Sequence, residues 1–231
     1  MPKIVVKDKD IAVPGETLAI GLDILPGNGT YRDSEKIIAN RLGLVAIDER
    51  AIKLIPLSGR YIPKTGDTII CKVIDVSFNG WRLDTNSAYS AMLSLKEATS
   101  DFIARGANLT QYYDLGDYIV CGIINVTSQK LVDVTTKGPG LRKLKGGRII
   151  EVDSNKVPRI VGKQGSMVIM IKEATKCNIT VGQNGLIWID GEPMNELLTI
   201  QAIRKIEKES HLSGLTEKIK EYLEKNNKVK H

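Results

Sequence analysis

The chain is expected to be multidomain, mainly β at first and α+β towards its end. Three observations predict this. At 231 residues it is long for one small core, so more than one compact unit is expected. Up to Thr135 the apolar residues come in short β-like runs between Gly, Pro and Asn, whereas after Gly165 they fall at helical spacing. Between the two textures lies a basic stretch, 137 to 165, that carries the whole net charge of +6. Its cations Lys137, Arg142, Lys143, Lys145, Arg148, Lys156, Arg159 and Lys163 face only Glu151 and Asp153, so the remaining residues sum to zero.

Residues 1–65 read as a small β-rich domain. Ile4 to Val6, Thr17 to Ile20, Leu44 to Ile47 and Ile52 to Leu57 are β-like runs, and Pro26-Gly27-Asn28-Gly29 is a turn. Asp33 to Leu42 has apolar residues at 37, 38 and 42, a partial helical spacing that fits a short strand equally, so both readings stay open.

Residues 66–145 hold five candidate strands: Thr68 to Val76, Trp81 to Asp84, Ala88 to Leu95, Asp117 to Val126 and Lys130 to Thr135. Five short strands with one longer connection, Lys96 to Asp114, suit a closed Greek-key barrel of the OB type, although periodicity alone fits any small β-barrel. Gly80 fits a tight bend before Trp81, which is either a core residue or part of a binding face.

Residues 146–231 change period. Arg148 to Val152 alternates as a strand, and Gly162-Lys163-Gln164-Gly165 is expected to lie between an apolar strand and an apolar helix start. Asn178 to Val181 and Leu186 to Ile189 read as a hairpin, and Pro193 starts a helix through Glu209. Leu215, Ile219, Tyr222 and Leu223 form one face of a last helix, with a frayed tail from Lys225.

A compact basic patch is what a polyanion feels most strongly, because neutralised phosphates release condensed counterions. Other chemistries lack their residues. Cys71, Cys121 and Cys177 are widely spaced and odd in number, and the histidines are His211 and His231, which leaves no expected zinc site or Cys/His nucleophile. Gly27-Asn28-Gly29 and Gly138-Pro139-Gly140 lack the third glycine of a dinucleotide fingerprint, and no Gly-Lys-Ser/Thr ends a phosphate loop. No catalytic residues, metal or cofactor are therefore expected. No apolar run approaches the roughly 20 residues that span a bilayer, and Met1 to Lys9 has no signal-peptide core, so no membrane partner and a cytoplasmic location are expected.

The run Ile160-Val161-Gly162-Lys163-Gln164-Gly165-Ser166-Met167-Val168, with Ile171 to Val181 after it, resembles a KH domain. The glycines of such a loop let backbone approach a ribose-phosphate chain at a helix N-terminus. The alternative is a loop that packs on a neighbouring domain. Gly66-Asp67, Phe78 to Asp84 and Gly116-Asp117 resemble an S1 domain. S1 domains that grip RNA through the barrel face offer aromatics on the second strand and a histidine on the third, and those positions fall here near Arg82 and Met92. Stacking contributes about 1 to 3 kcal/mol per base, so this barrel face is expected to bind weakly and without specificity. RNA contact is instead assigned to Lys72, Arg82 and Tyr89, to Lys137, Arg142, Lys143, Lys145 and Arg148 in the loop leaving strand five, and to Arg159, Gly162, Lys163, Gln164 and Gly165. The bland reading of the 137 to 148 loop is a solvated interdomain linker.

Taken with Leu25 to Tyr31 and Gly59 to Lys64, the module order resembles the exosome RNA-binding cap subunits of the ribosomal-RNA-processing protein four family, in their archaeal form. The resemblance covers nearly the whole chain. The bacterial phosphorolytic nuclease and the two-KH transcription factor fit worse. It implies a non-catalytic subunit that caps a hexameric ring of ribonuclease PH-like subunits in three copies, alone or mixed with a sister cap subunit. The cap would feed single-stranded RNA 3′ ends to the ring for phosphorolysis or polyadenylation, with residues 1–65 docking on the ring. Rival readings are a free-standing S1/KH RNA binder in translation or RNA chaperoning, and a nuclease in its own right.

Overall fold

A computed structural model of the chain describes residues 3–57, 59–101, 103–104, 106–210 and 214–228. It divides into two compact units, Met1–Gly59 and Arg60–His231.

The first unit contains β1 (Lys3–Ile4), β2 (Ile11–Ala12), β3 (Thr17–Ile20), β4 (Leu25–Pro26), β5 (Thr30–Asp33), β6 (Lys36–Ala39), β7 (Gly43–Asp48) and β8 (Ala51–Pro56). They form two sheets, ordered β1-β3-β6-β5 and β2-β7-β8-β4. The segment that fitted helix or strand is strand β6, because Ile37 and Ala39 alternate into the core while Lys36 is exposed. Leu18, Ile37, Val45, Ile52 and Leu54 fill that core. The Thr30 hydroxyl donates to the Gly27 and Ile52 carbonyls, both at 3.0 Å.

The second unit starts at Arg60, earlier than the expected Gly66. The Tyr61 hydroxyl donates to Asp67 Oδ2 at 2.5 Å and Tyr61 bridges Ser87, which ties this segment to the barrel. The barrel strands are β9 (Thr68–Ser77), β10 (Gly80–Asp84), β11 (Ser90–Ser94), β12 (Tyr118–Val126) and β13 (Val132–Thr135), with a short helix α1 (Leu95–Ala98) after β11. The order β13-β11-β10-β9-β12 returns to β13 through a β12–β13 pairing and closes the barrel. Trp81 is fully buried in it; its indole N–H donates to the Tyr113 carbonyl at 2.8 Å and its ring meets Tyr113 edge-on. Gly80 has φ +146°, and a Cβ there would lie 2.2 Å from the Leu93 carbonyl oxygen.

A short strand β14 (Lys143–Leu144) extends the barrel sheet by pairing with β12. The Lys143 ammonium donates to the Asp117 carboxylate there. Burial alone would raise the Asp117 carboxyl, but Lys143 and the Asp114 backbone N–H outweigh it and hold it below its ordinary value.

The KH region contains β15 (Arg148–Glu151), α2 (Val157–Val161), α3 (Ser166–Thr175), β16 (Asn178–Val181), β17 (Leu186–Asp190), α4 (Pro193–Lys208) and α5 (Leu215–Lys228), with sheet order β15-β17-β16. The segment before Gly162 is helix α2, not the expected apolar strand. The Asp153 side chain accepts from Asn155 N–H at 2.9 Å and opens a 3-10 turn into α2, where Pro158 sits in the first turn. Val157 and Ile160, three apart, then share the buried face of the helix. Leu215, Ile219 and Leu223 of α5 are buried as their spacing predicts. The helix continues to Lys228, past the frayed start expected at Lys225; residues 229–231 lie outside the described residues.

The barrel docks on the open face of the KH sheet. Ile70, Val120, Leu144 and Trp188 form one apolar cluster. The turn Gly182-Gln183-Asn184-Gly185 between β16 and β17 enters the seam. There Asn184, 1% exposed, accepts from Ile70 N–H at 3.2 Å and donates to the Ile70 and Thr85 carbonyls at 2.7 and 2.8 Å. A Cβ on Gly182 would lie 2.4 Å from Asn184 Oδ1 and 2.8 Å from Ile70 N, so this approach requires glycine.

Two outcomes follow from this packing. Gly80→Ala should lower stability by about 2–4 kcal/mol in urea denaturation, and an unchanged midpoint would contradict the close approach. Asp117 is depressed in the folded state, so its contribution is present above the unfolded value and lost as pH falls through the folded one. The stability gap between the natural chain and Lys143→Met should therefore be level near neutral pH and shrink below about pH 4, followed by denaturation at a series of pH values.

Candidate nucleic-acid interface

The loop from Lys137 to Arg148 is packed against both modules. The Lys137 N–H donates to Thr135 Oγ1 at 3.0 Å, and the Leu141 side chain lies against Gly122 and Gly138. The Arg142 carbonyl accepts from Val120 N–H, while its guanidinium lies 5.7 Å over the Trp188 ring. Leu144 is buried, and the Trp188 indole N–H donates to the Gly146 carbonyl at 2.9 Å. Arg148 Nε donates to Glu196 Oε2 at 2.7 Å, and the other Glu196 oxygen accepts from Gly191 N–H at 3.2 Å. This strap, pinned to β12, Trp188 and α4, replaces the solvated linker of the bland reading.

The pinning sorts its cations. Lys143 and Arg148 are held in ion pairs and Arg142 covers a ring. Lys137 and Lys145 are exposed, with no ion pair to a described residue.

On the barrel, Lys72 and Arg82 are exposed on neighbouring strands. Register places Asp84 opposite Lys72 and Asp75 opposite Arg82, so acids offset both cations across the ladder. Lys72 also lies 5.9 Å from the Tyr118 ring centroid. Met92 is the β11 partner of Arg82, in the place where the S1 histidine was expected. Tyr89 is exposed before β11, and its carbonyl accepts from Thr85 Oγ1 at 2.6 Å. Phe78, quoted in the S1 resemblance but assigned no RNA contact, is 92% exposed in the β9–β10 turn. Its position directly before Asn79-Gly80 was the available signal, since a residue at a hairpin tip has no core to enter.

In the KH region Gly162, Gln164 and Gly165 have φ of 76°, 53° and 81°, a left-handed bend that turns α2 into α3. Lys163 and Gln164 are exposed at its tip, and Arg159 is exposed on α2. A second Gly-x-x-Gly, Gly182 to Gly185, is a hairpin turn that enters the barrel seam. This second Gly-x-x-Gly was legible in the sequence and went unused.

The residues thus fall into three groups: Lys72, Arg82 and Tyr89 on the barrel face, the five strap cations, and Arg159 with Gly162 to Gly165. Among the described residues, no three His, Cys, Asp or Glu side chains converge on a metal position, and no helix is long and apolar enough to cross a membrane.

Comparison with known proteins places the same modules in the same order. A family profile described as the RRP4 S1 domain matches residues 60–125, and a KH domain profile matches residues 147–194. The exosome complex component Rrp4 of Methanobrevibacter smithii is 42% identical over 95% of this chain and 72% of its own length. That of Methanothermus fervidus is 42% identical over 94% of this chain and 96% of its own, and that of Pyrococcus furiosus 42% identical over 96% and 86%. A crystal structure of a candidate exosome complex RNA-binding protein superposes with a TM-score of 0.68 at 29% identity, covering 75% of this chain and all of that one. Relatives this similar over nearly the full length place the chain in the Rrp4 family of exosome complex components, with an S1 domain followed by a KH domain.

Proposed function

We propose that this chain is the RNA-capturing subunit of an exosome cap and has no catalytic role of its own. Three copies, alone or mixed with a sister cap subunit, sit on a hexameric ring of ribonuclease PH-like subunits in the cytoplasm. The cap receives single-stranded 3′ ends and passes them to the ring for phosphorolysis or polyadenylation. The observation that carries this reading is the strap: a basic segment fixed between an S1 barrel and a KH domain that keeps Lys137 and Lys145 exposed, with no ion pair among the described residues.

Two features support the division of labour. The first unit exposes the large apolar side chains Ile4, Val5, Ile11, Leu22, Leu25 and Ile55, which suits docking on protein. The second unit carries the cations and the backbone loop suited to phosphates. Two of the five strap cations are held in ion pairs and a third covers a ring, so each copy binds weakly, and threefold repetition on a ring raises the effective concentration without any new contact.

Measured by fluorescence anisotropy across a salt series, Lys137→Ala with Lys145→Ala should weaken single-stranded RNA binding and lower the salt slope by about 1.4, roughly 0.7 for each phosphate contact removed. Unchanged affinity and slope would refute the strap as the RNA contact. The purified chain alone should leave RNA intact with or without phosphate; phosphate-dependent decay by it would favour the rival reading of a nuclease.

A further inference from the structure

We infer that Asp75, Asp84 and Asp133 turn single-stranded RNA away from the open sheet face of the barrel, and so determine which surface of the second unit the strand uses. The inference rests on the RNA-binding reading above and adds to it a face that the strand avoids, closed by charge rather than by shape.

The pairing register fixes which side chains stand together. Residues opposite each other on neighbouring strands point to the same side of a sheet. One row therefore runs Asp75, Arg82, Met92, Asp133 across β9, β10, β11 and β13. A second runs Tyr118, Lys72, Asp84, Ser90 across β12, β9, β10 and β11. Arg82 and Asp84 lie two apart on β10 and are both exposed, which puts the two rows on one outer face. Lys72, Ser90, Met92 and Asp133 are exposed as well, and Asp75 is partly exposed. The face thus sets three carboxylates against the cations Lys72 and Arg82, with the neutral Met92 between Arg82 and Asp133.

These carboxylates keep their charge available. Among the described residues none of the three is in an ion pair, and Asp84 gives one oxygen to the Asn86 N–H at 2.9 Å. Neighbouring strands lie about 4.8 Å apart, so a phosphate held at Arg82 stands one strand from Asp75 and two from Asp133. A phosphate held at Lys72 stands one strand from Asp84. Salt screens little over such separations, because the Debye length is about 10 Å at 0.1 M ionic strength. Each cation on this face therefore attracts a phosphate that a neighbouring carboxylate repels. Repulsion at one surface is an effective way to direct a partner to another.

The test is a gain of binding, which a damaged fold cannot imitate. Asn has the shape of Asp and keeps the acceptor that position 84 offers the Asn86 N–H. The probe is a labelled oligoadenylate of about 12 nucleotides, titrated by fluorescence anisotropy across a salt series. With Asp75→Asn, Asp84→Asn and Asp133→Asn combined, affinity at about 50 mM salt should rise at least about tenfold. The salt slope should steepen by about 1.4, roughly 0.7 for each of Lys72 and Arg82 brought into phosphate contact. Arg82→Ala should then cost this triple variant at least about fivefold more than it costs the natural chain. Unchanged affinity in the triple variant would mean that the missing aromatics alone make the face weak. An equal cost of Arg82→Ala in both backgrounds would mean a uniform effect of net charge. Either result would overturn the inference. Binding by neither chain would overturn the RNA reading itself.

Discussion

The buried Asn184 side chain is the constraint on which the arrangement of the second unit depends. Its amide is satisfied only by the backbone of Ile70 and Thr85, which belong to another module more than ninety residues earlier in sequence. Removing it would leave two carbonyls and one N–H buried without partners, each costing about 1–3 kcal/mol. The surrounding cluster of Ile70, Val120, Leu144 and Trp188 supplies apolar burial but no unique orientation. Directional bonds at the centre of an apolar seam select one docking geometry, and the strap can then be short because its two ends are already fixed.

The same docking determines which charges face solvent. The sequence concentrates the net charge of +6 between residues 137 and 165, yet much of it is spent on the fold. Lys143 holds β14 to the loop before β12, Arg148 holds β15 to α4, and Arg142 seals Trp188. On the barrel, Asp75 and Asp84 stand opposite Arg82 and Lys72. What the second unit offers a polyanion is exposed Lys137, Lys145 and Lys163, exposed Arg82 and Arg159, and a glycine-bent backbone at the KH loop.

Much of the fold was legible because it follows local rules. The barrel strands alternate cleanly, with Ile69, Cys71 and Val73 inward and Lys72 and Ile74 outward, and α5 declares its face through Leu215, Ile219 and Leu223. Helix α2 was missed although Pro158 and the spacing of Val157 and Ile160 encode it, because five residues are too few for periodicity to separate helix from strand. The candidate interface was less legible for a different reason. Which cations are free depends on partners such as Asp117 and Glu196, remote in sequence and brought near by the fold. The seam role of Gly182 to Gly185 was hidden in the same way: a Gly-x-x-Gly turn has the same letters whether it meets phosphate or protein.

The most direct test of the cap role is phosphate-dependent decay of an RNA with a single-stranded 3′ tail, catalysed by a ribonuclease PH-like ring with and without this chain. The account predicts that the chain co-purifies with the ring and accelerates decay. A stable chain that neither binds the ring nor changes its rate would contradict it.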